Sequence, residues 1–248
     1  MGIAVVTGAS GGIGSAIAQR LASDGMSVVV GYGSSAERAA AVVESLDTLA
    51  GQAHAATAIP VTDSDALAAV AADLAEQHGA IDVLVNCAGK TQPVAHDDLD
   101  GLTDDVIDDI FATNWRGPFA CVRAFRSLLD DAADPVIVNI SSVSGVTGQG
   151  SNVAYCASKA ALDSMTRSLA RALGPKIRVV SVSPGWVLGD YAARMPTEIL
   201  DTQRDATPLA RLATGDDVAA AVSAVVRDLP FTTGTIISVD GGRPLGTN

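Results

Sequence analysis

Val5-Val6-Thr7-Gly8-Ala9-Ser10-Gly11-Gly12-Ile13-Gly14 is the stretch on which the fold turns. An apolar run ends at Thr7, a glycine-rich loop follows, and helical spacing begins at Ile13. Gly8 permits a tight turn, Gly12 lets a backbone approach a pyrophosphate, and Gly14 lets a helix pack closely on a sheet. Free amides of Ser10, Gly11 and Ile13 at the helix start then face an anion. Taken alone, such a loop is also an ordinary turn without a ligand. Its place directly after the first apolar run favours the phosphate reading.

Outward from this loop, short β-branched runs recur at residues 3–7, 27–31, 55–60, 83–86, 136–140, 178–183 and 235–239. They are continuous rather than alternating in apolar character, as expected of strands buried on both faces. Helical spacing fills residues 13–24, 37–50, 63–77, 103–130, 154–173 and 216–228. Strict alternation predicts an α/β fold: one Rossmann-type, doubly wound parallel sheet of about seven strands, with helices on both faces. Residues 1–248 read as a single domain, and residues 185–214, with Pro196 and Pro208 among mixed charge, as a mobile lid or substrate loop.

The 248 residues are 48% hydrophobic with a formal net charge of −12, which disfavours nucleic acid and other polyanions. Cys87, Cys121 and Cys156 are odd in number, far apart and without a neighbouring His, so they read as buried free thiols with no metal role. Met1 leads straight into an apolar run with no basic leader, and no apolar stretch is long enough to span a bilayer. A cytoplasmic protein without a membrane partner is expected.

Tyr155 and Lys159 stand four apart at the start of a predicted helix, so both project from one face. A tyrosine that serves as acid and base near neutrality needs its pKa lowered from about 10 by about two to three units. An ammonium one turn away supplies the right sign of field. Upstream, Ser141-Ser142-Val143-Ser144 closes a strand with hydroxyls.

The Gly-x3-Gly-x-Gly spacing behind Thr7, together with Tyr-x3-Lys, resembles the short-chain dehydrogenase/reductase family over essentially the whole chain. The resemblance implies hydride transfer between a nicotinamide and a carbonyl or secondary alcohol, with Tyr155 as acid/base. It selects Ser142 to hydrogen-bond the substrate oxygen and Lys159 to bind the ribose and lower the tyrosine pKa. Asn114 takes the fourth catalytic position, where an amide holds a local helix distortion.

It also implies a cofactor site of Tyr32, Ser34, Ser35, Val61, Asn86, Ala88, Gly89, Pro184, Gly185 and Val187, beside the glycine loop, Tyr155 and Lys159. Ser144, Gln92, Val94, Trp186 and Tyr191 are the substrate-pocket expectations. No carboxylate ends the second strand, and Ser34, Ser35 and Arg38 are placed to take a 2′-phosphate, so NADP(H) is expected over NAD(H). Departures are Gly11 in place of a basic residue, Cys87 in Asn86-Cys87-Ala88-Gly89, Pro60 where relatives carry Asp, and Gly189 in place of a threonine.

The C-terminal pattern most resembles bacterial 3-oxoacyl-carrier-protein reductases, which implies a homotetramer. Asp130, Asp131 and Asp134 give the wrong sign for docking an acidic carrier, with Lys176 and Arg178 a partial counterweight, which favours a freely diffusing substrate. An NAD-dependent alcohol or dihydrodiol dehydrogenase and a non-enzymatic NADP-binding sensor are the rival readings.

Overall fold

A computed structural model describes residues 2–49, 51–189 and 191–245. β1 (Ile3–Thr7), β2 (Ser27–Tyr32), β3 (Ala55–Ala58), β4 (Val83–Asn86), β5 (Val136–Ile140), β6 (Arg178–Pro184) and β7 (Ile236–Val239) form one parallel sheet in the order β3-β2-β1-β4-β5-β6-β7. The order reverses between β1 and β4. That crevice is where open α/β sheets receive ligands.

α1 (Gly12–Ser23), α2 (Ala36–Ser45) and α9 (Gly215–Arg227) cover one face, and α3 (Ser64–His78), α5 (Gly117–Asp131) and α7 (Val153–Leu173) the other. The continuous apolar runs divide by parity. Val6, Val28, Val85, Val138 and Val182 pack against α1 and α9, while Val5, Val29, Leu84, Ile137 and Val179 pack against Leu67, Phe125, Leu129 and Leu173. Each buried side chain of this size contributes about 1.5–3 kcal/mol.

On the α7 face the parity row turns polar toward the strand ends. Register aligns Thr7 with Asn86, Asn86 with Asn139, and Asn139 with Ser181, all buried, and Ser141 and Ser183 lie one step further. Hydrogen bonds run across this row from Asn86 Nδ2 to Asn139 Oδ1 (2.9 Å), from Asn139 Nδ2 to Thr166 Oγ1 of α7 (2.8 Å), and between Thr166 and Ser181 hydroxyls (2.8 Å).

Several boundaries differ from expectation. The strand at 55–60 stops at Ala58 because Pro60 has no N–H for the ladder, and as an edge strand β3 is largely exposed rather than buried on both faces. The helix expected over 37–50 ends at Ser45; Ala50 lies outside the described residues. The single helix expected over 103–130 is α4 (Asp104–Phe111), a π turn (Ala112–Arg116) and α5 in continuous succession. The 185–214 segment is not irregular throughout. It carries a 3₁₀ turn (Ala192–Arg194) and α8 (Thr197–Asp205), and α6 (Ser144–Thr147) is a further short helix. Asp190 within it lies outside the described residues. No helix among the described residues is long and apolar enough to cross a membrane.

Asp24, at the end of α1, ties that helix to α9 by accepting from Ser223 Oγ (2.5 Å) and Arg227 (2.8 Å), and it pairs with Arg20. Burial pushes its carboxyl up, but the Ser223, Arg20 and Arg227 interactions outweigh that and hold it below its ordinary 3.8. Asp24→Asn is expected to cost about 1–2 kcal/mol by urea denaturation at neutral pH. A lowered carboxylate pKa stabilises fully above the unfolded value and loses that contribution as pH falls through the folded one. The gap between variant and parent should therefore narrow below about pH 3.8.

Candidate active site

The glycine loop joins β1 to α1. Gly8 has φ +67°, and a Cβ there would stand 2.8 Å from the Ala88 backbone. At Gly14 a Cβ would meet the Gly8 carbonyl at 2.4 Å. These two glycines are required by the protein's own packing. At Gly12 a Cβ would meet nothing within 4 Å, so space is open beside the first turn of α1, whose cap residue Gly11 brings no side chain to the amides. A diphosphate fits this cradle of helix-start N–H groups.

Across the crevice, Thr7 Oγ1 accepts from the amides of Cys87 and Ala88 at 3.1 Å each, which fixes the loop after β4 against the glycine loop. Asn86 ends β4. Its side chain is interior and gives its amide to Asn139, and its Oδ1 is buried without a partner, so it supports the sheet rather than reaching into the cleft. Val61 is likewise core, packed against Gly117, which leaves its main chain for the cleft. Tyr32 ends β2, with Ser34 exposed beyond it and Ser35 accepting from Arg38 at 2.8 Å. Pro184 ends β6, and Gly185 bonds to Val239.

The catalytic expectations converge. Asn152 caps α7 by accepting from the Tyr155 amide (2.7 Å). Tyr155 and Lys159 lie on the inner face of α7, with the Lys159 Nζ 5.8 Å from the phenol ring centroid. Ser142, just past β5, is near enough to act on the Tyr155 phenol and donates to Ser144 Oγ (3.1 Å). Asn114 sits in the π turn with no exposure, accepting from Lys90 N (2.8 Å) and donating to Lys90 O (2.9 Å) and Ser158 Oγ (3.1 Å). A π turn opens a helix where a side chain must bond away from the ladder. Gly89 joins the group: a Cβ there would stand 3.6 Å from Asn114 Oδ1 and 3.8 Å from Lys159 Nζ.

The electrostatics correct one expectation. Burial pushes the Tyr155 phenol above its ordinary value, with Ser142 pulling the other way. The Lys159 ammonium is itself buried, donates to the Ile140 carbonyl at 2.8 Å and is pushed down to about 8. The protein's own groups keep the phenol protonated.

The pocket expectations are brought to the same mouth. Gln92 O accepts from Asn152 Nδ2 (2.7 Å), and Val94 N donates to Ser151 O (2.9 Å). Trp186 and Tyr191 rings lie 5.9 Å apart, and Tyr191 is close enough to act on Tyr155. Both feet of the 185–214 excursion are clasped, Leu188 N to Ala213 O (2.8 Å) and Ala213 N to Trp186 O (2.9 Å), with Val187 bridging Ala213. Lys176 is committed to the Ala132 carbonyl, and Arg178 to Asp134, Val225 and Leu229.

Against known proteins, a family model described as enoyl-(acyl carrier protein) reductase matches residues 8–243. The 3-oxoacyl-[acyl-carrier-protein] reductase FabG of Staphylococcus aureus is 35% identical, covering 96% of each chain. A solved structure described as a short-chain dehydrogenase/reductase, glucose/ribitol dehydrogenase, from Brucella melitensis superposes with a TM-score of 0.89 at 30% identity, covering 98% of this chain and 96% of that one. The chain belongs to the short-chain dehydrogenase/reductase family. The cis-4-hydroxycyclohexanecarboxylate dehydrogenase of Sinomonas cyclohexanicum is another relative, 36% identical over 97% of this chain and 95% of its own. Within this family the chain is an oxidoreductase that uses a nicotinamide cofactor.

Two roles escaped the sequence reading: that of Asn152, and that of Thr7 beyond its place ahead of the glycine loop. Asn152 was within reach, since Asn ahead of an apolar-periodic run is a strong helix-cap signal. It both caps α7 and ties down Gln92, so Asn152→Ala is expected to lower stability by about 1–2 kcal/mol in a thermal or urea melt.

Proposed function

We propose that the chain reduces a ketone or 3-oxoacyl substrate with NADPH, with Tyr155, Ser142, Lys159 and Asn114 as its catalytic residues. The observation that carries this reading is a half-buried phenol, held above its ordinary pKa, beside Ser142 at the mouth of the β1/β4 crevice. A bound nicotinamide supplies or accepts the hydride and, when oxidised, adds the positive charge that Tyr155 needs to lose its proton. In reduction Tyr155 gives its proton to the substrate oxygen while Ser142 donates a hydrogen bond to the same atom. Lys159 holds the ribose hydroxyls, and Asn114 fixes the Lys90 backbone beside it. Gly12, Ile13 and Gly14 seat the diphosphate.

Ser34, Ser35 and Arg38 take the 2′-phosphate, and the absence of a carboxylate at the end of β2 supports NADPH over NADH. The single domain closes over its substrate with the 185–214 segment, against Ser144, Gln92, Val94, Trp186 and Tyr191. The stacked, half-exposed Trp115 and Phe119, together with the open edge of β7, support a homotetramer. We place its work in the cytoplasm. Asp130 pairs with Arg126, Asp134 with Arg178, and Lys176 bonds the Ala132 carbonyl, so this segment is partly neutralised; the net charge of −12 still favours a freely diffusing substrate over an acidic carrier protein. The cyclohexane-type relative favours a second reading, oxidation of a ring alcohol with NAD.

Tyr155→Phe is expected to lower turnover by at least about 100-fold with little change in cofactor affinity, measured by nicotinamide absorbance and by cofactor titration. Wild-type turnover would remove Tyr155 from the mechanism. In a kcat/KM comparison, NADPH should exceed NADH, and Arg38→Ala should narrow the gap by about tenfold through KM. A clear NADH preference would support the second reading instead.

A further inference from the structure

One turn beyond Lys159 on α7 stands Asp163, a carboxylate that is 4% exposed and whose Oδ1 has no hydrogen-bond partner. A buried, under-satisfied carboxylate costs several kcal/mol unless a charge offsets it, so its persistence beside a catalytic group needs a reason. It looks onto the polar end of the sheet. The Ser141 hydroxyl, just past β5, lies between this carboxylate and the Lys159 carbonyl, and the Ser181 hydroxyl of β6 lies between it and Thr166. Each hydroxyl has one proton to give, so these neighbours cannot satisfy every acceptor.

The charged and titratable groups around the pair are few. Arg167 acts on Asp163 from an exposed position on α7. Lys159 faces Tyr155 and Asp163 on its own helix and Cys87 from the loop after β4, while the π turn offers it only the neutral Asn114. The Cys87 thiol, which burial pushes up to about 12, is uncharged wherever Lys159 titrates, and the Tyr155 phenol is protonated there too. Burial pushes the Asp163 carboxyl above its ordinary value, while the Ser141 and Ser181 hydroxyls, Arg167 and Lys159 draw it back, and it is the one carboxylate among the groups acting on the lysine.

We propose that Asp163 is a positioning residue whose buried carboxylate is the counter-charge that keeps Lys159 an ammonium, and whose hydroxyl partners brace the turn of α7 that carries the lysine. The inference rests on Lys159 as a working residue of the site, but the charge coupling can be read without turnover. An ammonium that burial has brought down to about 8 is close to losing its proton at working pH, and Asp163 opposes that loss. An amide at 163 would keep the shape and remove the charge.

The test is a titration of Lys159 followed through its ε-carbon by NMR of lysine-labelled protein, with Lys159→Arg to assign the signal. In Asp163→Asn the midpoint should fall by about one pH unit from about 8. The alkaline limb of kcat/KM should move with it, so that the variant loses several-fold activity near pH 7.5 and recovers toward the parent at lower pH. A purely structural role would depress activity at every pH and leave the limb in place. Asp163→Ser, smaller and equally uncharged, should behave alike. In the unaltered protein the same carbon should show a second inflection in the acid range, where Asp163 titrates, which reads the coupling even if both variants fold poorly. An unmoved Lys159 midpoint, or a single inflection in the parent, would overturn the proposal. Wild-type turnover in Lys159→Met would overturn the catalytic reading instead and leave the titration result standing.

Discussion

The costly interaction in this fold is the burial of the Lys159 ammonium. An uncompensated cation in the interior is expensive, and the surrounding architecture supplies compensation piece by piece: the Ile140 carbonyl at the end of β5, the Asp163 carboxylate one turn on, and a polar row where the sheet meets α7. The apolar half of that same face anchors α7 through Ala170 and Leu173, near its C-terminal end. The helix is thus clamped by hydrophobic burial at one end and by hydrogen bonds at the other. That division holds Tyr155 at the rim while its partner stays inside.

The same economy explains the loops. Thr7 couples the two loops of the crevice through one hydroxyl, and Asn152 couples the start of α7 to the segment carrying Gln92. The π turn frees Asn114 to bond the Lys90 backbone on both its donor and acceptor sides. Each device makes one polar side chain serve two elements, so the mouth of the site is held by few residues.

What could be read from the sequence follows period and spacing. The strand runs, the parallel order and the glycine loop were legible because buried parallel strands and tight turns leave strong local patterns. Tyr155, Lys159, Ser142 and Asn114 were legible as a constellation, though each is ordinary alone. The interior position of Asn86 was not, because it depends on register with Asn139, a neighbour 53 residues away. The direction of the Tyr155 shift was misjudged for a related reason: helical spacing shows that two groups are near, but burial decides which of them carries charge. The π turn was legible only through the family pattern, which puts a helix distortion at Asn114, and not through the helical period of residues 103–130; the end of β3 was overrun although Pro60 marked it.

The clasp between Trp186, Leu188 and Ala213 separates the 185–214 excursion from the sheet that carries it. Between those feet the excursion is also tied back, by Arg211 to Asp217 of α9, by Leu209 N to Gly241 O and by Arg243 to Gln203. A change in the pocket wall is therefore felt at the first turn of α9 and at the turn after β7, so what the chain recognises and how its C-terminal end is held are linked.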